Sequence, residues 1–388
     1  MNLQERDNTY IAGTYHRFPL SIVSGRGSVV TDENGKKYID LGSGIAVNSF
    51  GVADETWREA VTAQLEKVQH MSNLYYTEPC VRLAEMLCRR TGMRKVFFSN
   101  SGAESNECLI KAVRKYAQEK RGENCSTVIT LKNSFHGRTL TTLAATGQDR
   151  FHTLFRPLTP GFAYAEPGDL EDMKRLLDAY DGKVAAVLIE CVQGEGGVMP
   201  LDMAYATALE ALLRERDVLL AVDEVQTGNG RSGQLYAYMH YGLHPDVVST
   251  AKGLAGGLPL GATLLSEKLQ DVFGWGDHGS TFGGNPICCA AACSVLERID
   301  DALLAEVREK SAFLVSALSG APGIEAVTGL GLMLGLKTVR PASEVVAACM
   351  ERGVLCLTAK DRVRLLPALN IPMELLRQAV EVIRECCA

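Results

Sequence analysis

LLAVDEVQTGNGRSG (219–233) and VVSTAKGLAGGLPLGA (247–262) decide how this chain folds. Each opens on a short apolar run and then breaks into small and polar residues. A run of that kind is too short for a helix and reads as a strand buried on both faces. The first ends at Asp223; the second leads directly into Lys252. Outward from this pair the pattern repeats. Val96–Phe98, Thr127–Leu131, Ala185–Glu190, Val218–Val225, Val247–Ser249 and Gly261–Ser266 read as strands. Between them Glu104–Lys120, Leu170–Tyr180 and Tyr205–Arg216 space their apolar residues as helices do. This alternation predicts an α/β fold, a mainly parallel sheet sandwiched by helices.

The ends read differently. Residues 28–41 form a hairpin pattern turning at Asn34-Gly35. The last hundred residues mix helix patterns (301–318, 342–352, 373–386) with short strands at 332–337 and 362–366. The expectation is a smaller α+β domain built from both chain ends. Residues 1–50 would contribute to it, 51–284 would form the large domain and 285–388 the rest of the small one.

Of the 388 residues 46 % are hydrophobic and 22 % charged, which allows a substantial core. The net charge of −6 and the lack of a long basic run argue against nucleic acid or an anionic membrane as partner. The first twenty residues show no basic head followed by an apolar stretch, and no apolar run reaches spanning length, so the default location is cytoplasmic. Twelve cysteines without a C-x-x-C pair read as free thiols in a reducing compartment. No metal is expected: the only suggestive pair, His240 and His244, lacks the usual Glu.

Four segments carry chemistry. SNSGAESN (99–106) joins a strand to a helix, and its small residues Ser101, Gly102 and Ala103 let backbone N–H groups approach an anion such as phosphate. Asp223 ends a strand of an open parallel sheet, where ligands bind. The strand ending in Asp-Glu resembles a Walker B magnesium site, but no G-x-x-x-x-G-K-[ST] occurs, which argues against an ATPase. GNGRSG matches a dinucleotide fingerprint only formally, since the next strand ends without an acid. The third use of such an acid is to keep a pyridine nitrogen protonated; a nucleotide-binding regulator using the Asp223 strand and GNGRSG is the rival reading. Lys252 lies among Ala, Gly and Leu, surroundings that lower an amine's pKa and free it for Schiff-base chemistry. HGSTFGGNP (278–286) adds the hydroxyls of Ser280 and Thr281. A phosphate cradle, an acid at a strand end, a lysine after the next strand and further hydroxyl donors are what pyridoxal phosphate needs.

The succession SGAES, FHGRT, ECVQGEGG, VDEVQTG, STAKGLAGGLPLGA and STFGGNP resembles the class III aminotransferases of fold type I, from about Asn8 to the C-terminus. GIAVNSFG (44–51), SNLYYTEP (72–79), FHGRTLTTLAATGQ (135–148) and RLLPALNI (364–371) are most similar to the acetylornithine branch. The resemblance implies a seven-stranded-type sheet, pyridoxal 5'-phosphate as cofactor and a homodimer. It implies that Lys252 carries the cofactor covalently, that Asp223 pairs with the pyridine nitrogen, and that Val225 and Gln226 line the ring, Gln226 at its hydroxyl. Gly102 and Ala103, with Ser101 nearby, would hold the phosphate. Thr281 would reach the phosphate in the other subunit, and Phe135 would stack on the ring. Arg138, with Ser280 beside it, would bind a substrate carboxylate. Glu195 and Arg364 would form the switch pair of ω-amine enzymes. The implied substrates are an amino acid and a 2-oxo acid: the terminal amine of N2-acetyl-L-ornithine passes to 2-oxoglutarate, in arginine biosynthesis. Ornithine, succinylornithine, succinyldiaminopimelate and 4-aminobutyrate remain alternative donors. Cys191 replaces a usual proline and GVADE (51–55) a segment containing His and Pro; neither touches a chemical role.

Overall fold

A computed structural model describes residues 1–388. Its centre is a seven-stranded sheet. In chain order the strands are β1 (Lys95–Ser99), β2 (Thr127–Leu131), β3 (Phe162–Ala165), β4 (Val184–Ile189), β5 (Leu219–Asp223), β6 (Val247–Thr250) and β7 (Gly261–Leu265). They lie side by side as β1-β7-β6-β5-β4-β2-β3. Only β7 runs against its neighbours β6 and β1; the other pairings are parallel. β2, β4, β5, β6 and β7 are buried along their whole length, as a sheet covered on both faces requires.

Four helices matter for the site: α1 (Gly102–Arg121), α2 (Leu140–Ala145), α3 (Leu170–Ala179) and α4 (Met203–Glu215). α1 buries Leu109, Ile110, Ala112 and Val113 against Val128, Ala186 and Leu188 of the sheet. On the other face α3 and α4 contribute Met173, Leu177, Leu209 and Leu213 to the largest apolar cluster, which continues into the C-terminal residues.

The hairpin at the N-terminus forms as expected. Val29–Asp32 pairs antiparallel with Lys37–Asp40, and Asp32 Oδ1 accepts from the N–H groups of Asn34 and Lys36 to close the turn. Val354–Leu355 from the far end of the chain then adds to it in parallel. Ile22–Arg26 completes that sheet on the other side of Val29–Asp32, and a second four-stranded sheet orders Ile324–Leu330, Met333–Thr338, Arg362–Leu365 and Leu357–Ala359. Among the elements unread in the sequence are the helices Leu3–Tyr10, Glu55–Leu65, Glu78–Thr91, α2 and Pro286–Arg298 and the strands Ile22–Arg26, β3 and Ile324–Leu330.

Candidate active site

The sheet delivers its chemistry at the carboxyl ends of its parallel strands. Asp223 ends β5, Glu190 follows β4, and Lys252 stands two residues beyond β6. α1 starts after β1 and points its N-terminus into the same crevice. There Gly102, Ala103, Asn106, Phe135, His136, Gly137, Arg138, Glu190, Asp223, Val225, Gln226 and Lys252 enclose a cavity of about 260 Å3.

Local bonding explains each placement. Ser101 caps α1, its hydroxyl accepting the Glu104 N–H at 3.2 Å, so the N–H groups of Gly102 and Ala103 stay free for a ligand. Position 102 must be glycine: a Cβ there would lie 2.6 Å from Val225 Cγ1. Asp223 is buried. Its Oδ1 accepts the Val225 N–H at 2.9 Å, which turns the chain out of β5. Its Oδ2 accepts the Asn106 amide at 2.7 Å and faces His136 Nδ1 at 2.8 Å. The Asn106 side chain is fixed in turn, donating to the His136 carbonyl at 2.8 Å and accepting the Ser249 hydroxyl at 2.6 Å.

Lys252 takes a left-handed backbone, φ 45°, which costs a non-glycine residue on the order of 1–3 kcal/mol and marks functional sites. Burial pushes its amine below the ordinary lysine value, against the opposing pull of Glu195 and Asp223. Glu190 is buried beside these groups and accepts the Phe135 N–H at 3.2 Å. Burial, and then the Asp223 charge, raises its carboxyl well above the usual range.

Glu195 and Arg364 meet at 2.5 Å, and Gln226 bridges them, accepting from Arg364 at 3.1 Å and donating to Glu195 at 3.4 Å. Burial alone would raise the Glu195 carboxyl, but the Arg364 guanidinium outweighs it, with help from Lys252, and holds it below its ordinary value. Arg364 is itself buried, and its Nε has no partner.

The sequence-derived residues thus divide. Gly102, Ala103, Phe135, Arg138, Asp223, Val225, Gln226 and Lys252 line one cavity; Glu195 and Arg364 join it through Gln226. Ser101 stands behind the lining as the helix cap. Ser280 and Thr281 stand apart, in a separate groove with His70, Ser72 and Asn73. The Ser280 hydroxyl accepts the Gly283 N–H at 2.9 Å and the Asn100 amide at 3.1 Å, which ties it to its own turn rather than to Arg138. Asn106, His136, Gly137 and Glu190 went unnoticed in the sequence. Glu190 carried the same signal as Asp223, an acid at the end of an apolar strand.

The donors fit pyridoxal phosphate. Free helix N–H groups suit its phosphate, a buried carboxylate its ring nitrogen, an aromatic and a valine its ring, and an amine its aldehyde. The aminotransferase class-III family model matches residues 10–387. The acetylornithine aminotransferase of Haemophilus ducreyi is 49 % identical over 99 % of this chain and 98 % of its own. That of Aquifex aeolicus is 45 % identical over 97 % and 99 %. Among solved structures, ornithine aminotransferase from Toxoplasma gondii superposes with a TM-score of 0.93 at 31 % identity, covering 99 % of this chain and 93 % of that one. N-acetylornithine aminotransferase from Stenotrophomonas maltophilia gives 0.86 at 32 % identity, covering 99 % and 98 %. The chain belongs to the class-III aminotransferases and is a pyridoxal-phosphate-dependent transaminase.

Proposed function

We propose that the chain acts as an acetylornithine aminotransferase, moving the terminal amino group of N2-acetyl-L-ornithine to 2-oxoglutarate in arginine biosynthesis. One observation carries the reading. The site holds two arginines in opposite states: Arg364 is masked by Glu195 at 2.5 Å, while Arg138 lines the cavity without an ion pair. Such a site suits a substrate with an amine at one end and a carboxylate at the other. Near-full-length similarity to relatives of that name supports the choice among ω-amines.

When bound, pyridoxal phosphate supplies an electron sink conjugated to the reacting amine. Gly102 and Ala103 would hold its phosphate, Asp223 its ring nitrogen, Gln226 its hydroxyl, with Phe135 and Val225 against the ring. Lys252 would anchor it, and its amine, whose pKa is lowered, would move the proton at the amine-bearing carbon as a general base. In the amine half-reaction that carbon bears no carboxylate, so Arg364 stays masked. In the 2-oxo acid half-reaction Glu195 swings aside and Arg364 grips the carboxylate in a bidentate pair. Arg138 holds the distal carboxylate in both.

The homodimer belongs to the same proposal. Ser280 and Thr281 lie outside this chain's cavity, next to Phe282, which is 59 % exposed. Leu74 and Tyr76 stand 88 % and 99 % exposed, a face suited to a second copy whose phosphate Thr281 would reach. A cytoplasmic location suits the twelve free cysteines. No helix is long and apolar enough to cross a membrane.

A panel of donors assayed with 2-oxoglutarate tests the substrate: N-acetylornithine, N-succinylornithine, ornithine, N-succinyldiaminopimelate and 4-aminobutyrate. The highest kcat/KM is expected with N-acetylornithine; a preference for ornithine or 4-aminobutyrate would overturn the assignment.

A further inference from the structure

Arg138 poses a physical problem. A guanidinium that must receive a carboxylate needs a fixed direction and free donors. An ion pair would fix it but consume the donors. Here its neighbours are two rings: its Cζ lies 4.3 Å from the Phe151 ring centroid and 5.6 Å from that of Phe135. The rings meet edge to face, with centroids 6.0 Å apart. Stacking on a ring holds the plane of a guanidinium while leaving its N–H groups free at the rim. Phe135 lines the cavity, but Phe151 does not, so Phe151 touches the guanidinium without forming part of the pocket wall.

Phe151 is itself well supported. It ends the single turn Asp149–Phe151, and its N–H donates to the Gln148 carbonyl at 3.0 Å. Gln148 is buried, its amide donating to the Ser134 carbonyl at 3.0 Å. The next residue, His152, sets Nε2 3.0 Å from the Leu143 carbonyl at the end of α2 and its ring 5.6 Å from Tyr164 of β3. A second guanidinium, Arg150, also lies over the Phe151 ring, at 4.6 Å.

We propose that Phe151 is a positioning residue for substrate binding: its ring holds the Arg138 guanidinium open toward the carboxylate shared by amine donor and 2-oxo acid. This rests on the reading of Arg138 as the distal carboxylate receptor. Phe151 acts through Arg138 and sets affinity, not the proton-transfer rate.

The test uses the holoenzyme and follows each half-reaction by cofactor absorbance. Phe151→Leu keeps the bulk and removes the π face. The dissociation constants of N-acetylornithine and of 2-oxoglutarate should both weaken about tenfold, the scale of a partly desolvated cation–π contact. The rate constants at saturation should stay within about twofold, and Phe151→Tyr should restore both affinities. In an Arg138→Ala background, Phe151→Leu should cause no further loss, because the two side chains act as one unit. A fall in the saturated rate with affinity intact overturns the proposal, as does an equal loss of affinity in the Arg138→Ala background. If Arg138→Ala alone leaves both dissociation constants unchanged, the reading of Arg138 fails first and Phe151 with it. Arg138-dependent affinity that is indifferent to Phe151→Leu sinks only the proposal.

Discussion

At the scale of single residues, the acid at the centre of the site is held by partners on every side. Asp223 takes hydrogen bonds on both carboxylate oxygens, from the Val225 N–H and the Asn106 amide, and it faces His136. That network fixes the acid at the end of β5, where the proposal sets the ring nitrogen. Asp223→Asn should retain the cofactor yet lower kcat by roughly 10²–10³-fold, the scale of losing one preorganised electrostatic contact. Steady-state kinetics with a cofactor titration checks it; a near-normal rate would remove Asp223 from the mechanism. Asp223 and Lys252 were legible because each sits at the end of an apolar run with no structural use for a charge. Asn106 and His136 were not. Asn106 reads as one more polar position on a helix, and only the fold reveals that it faces inward, one turn beyond Gly102. Glu190 was readable by the rule that found Asp223.

At the scale of elements, the central strands were legible, while their ends and whole helices such as Glu55–Leu65 and Glu78–Thr91 were not. β5 stops at Asp223 rather than Val225 because the Val225 N–H bonds back to the aspartate. β3, four residues on the sheet edge, is too short to show a period. The N-terminus of α1 and the end of β5 interlock through Gly102. Gly102→Ala would drive a methyl into Val225, 2.6 Å away, and shift the helix N–H groups from the cavity. Cofactor release, followed by absorbance on dilution, should accelerate at least about tenfold, the scale of an overpacking strain of 1–3 kcal/mol; unchanged retention would show that the cradle lies elsewhere. Next to Asp223, Glu224 is fully buried and accepts from the Thr227 hydroxyl at 2.6 Å and the Tyr238 N–H at 2.7 Å. Burial raises its carboxyl to about 7. The folded chain therefore keeps a proton that the unfolded chain gives up at lower pH. This stability is fully present below the ordinary carboxyl range and is lost as pH rises through about 7. Glu224→Gln lacks that loss, so its Tm relative to wild type should rise between about pH 5 and about pH 8. A constant difference would mean that Glu224 titrates normally.

At the scale of the molecule, the two chain ends meet. Val354–Leu355 pairs with Lys37–Asp40, and the Arg231 guanidinium donates to the carbonyls of Leu332 and Pro367, tying the large sheet to the segment that bears Arg364. We propose on this basis that residues 1–50 and the C-terminal segment form one unit; the helix Pro286–Arg298, just past residue 284, packs on Glu55–Leu65 and Glu78–Thr91 and so sides with the large domain. The face proposed for a second copy was not legible from hydropathy, because Leu74, Tyr75, Tyr76 and Phe282 stand out only once folding leaves them uncovered. Sedimentation equilibrium should give twice the 42.0 kDa chain mass, and a fully active 42.0 kDa species would contradict the shared site. The whole account converges on one amine. Reducing the purified holoenzyme with borohydride and mapping its peptides by mass spectrometry should place the pyridoxyl label on Lys252 alone. A label on any other lysine, or none, would contradict it.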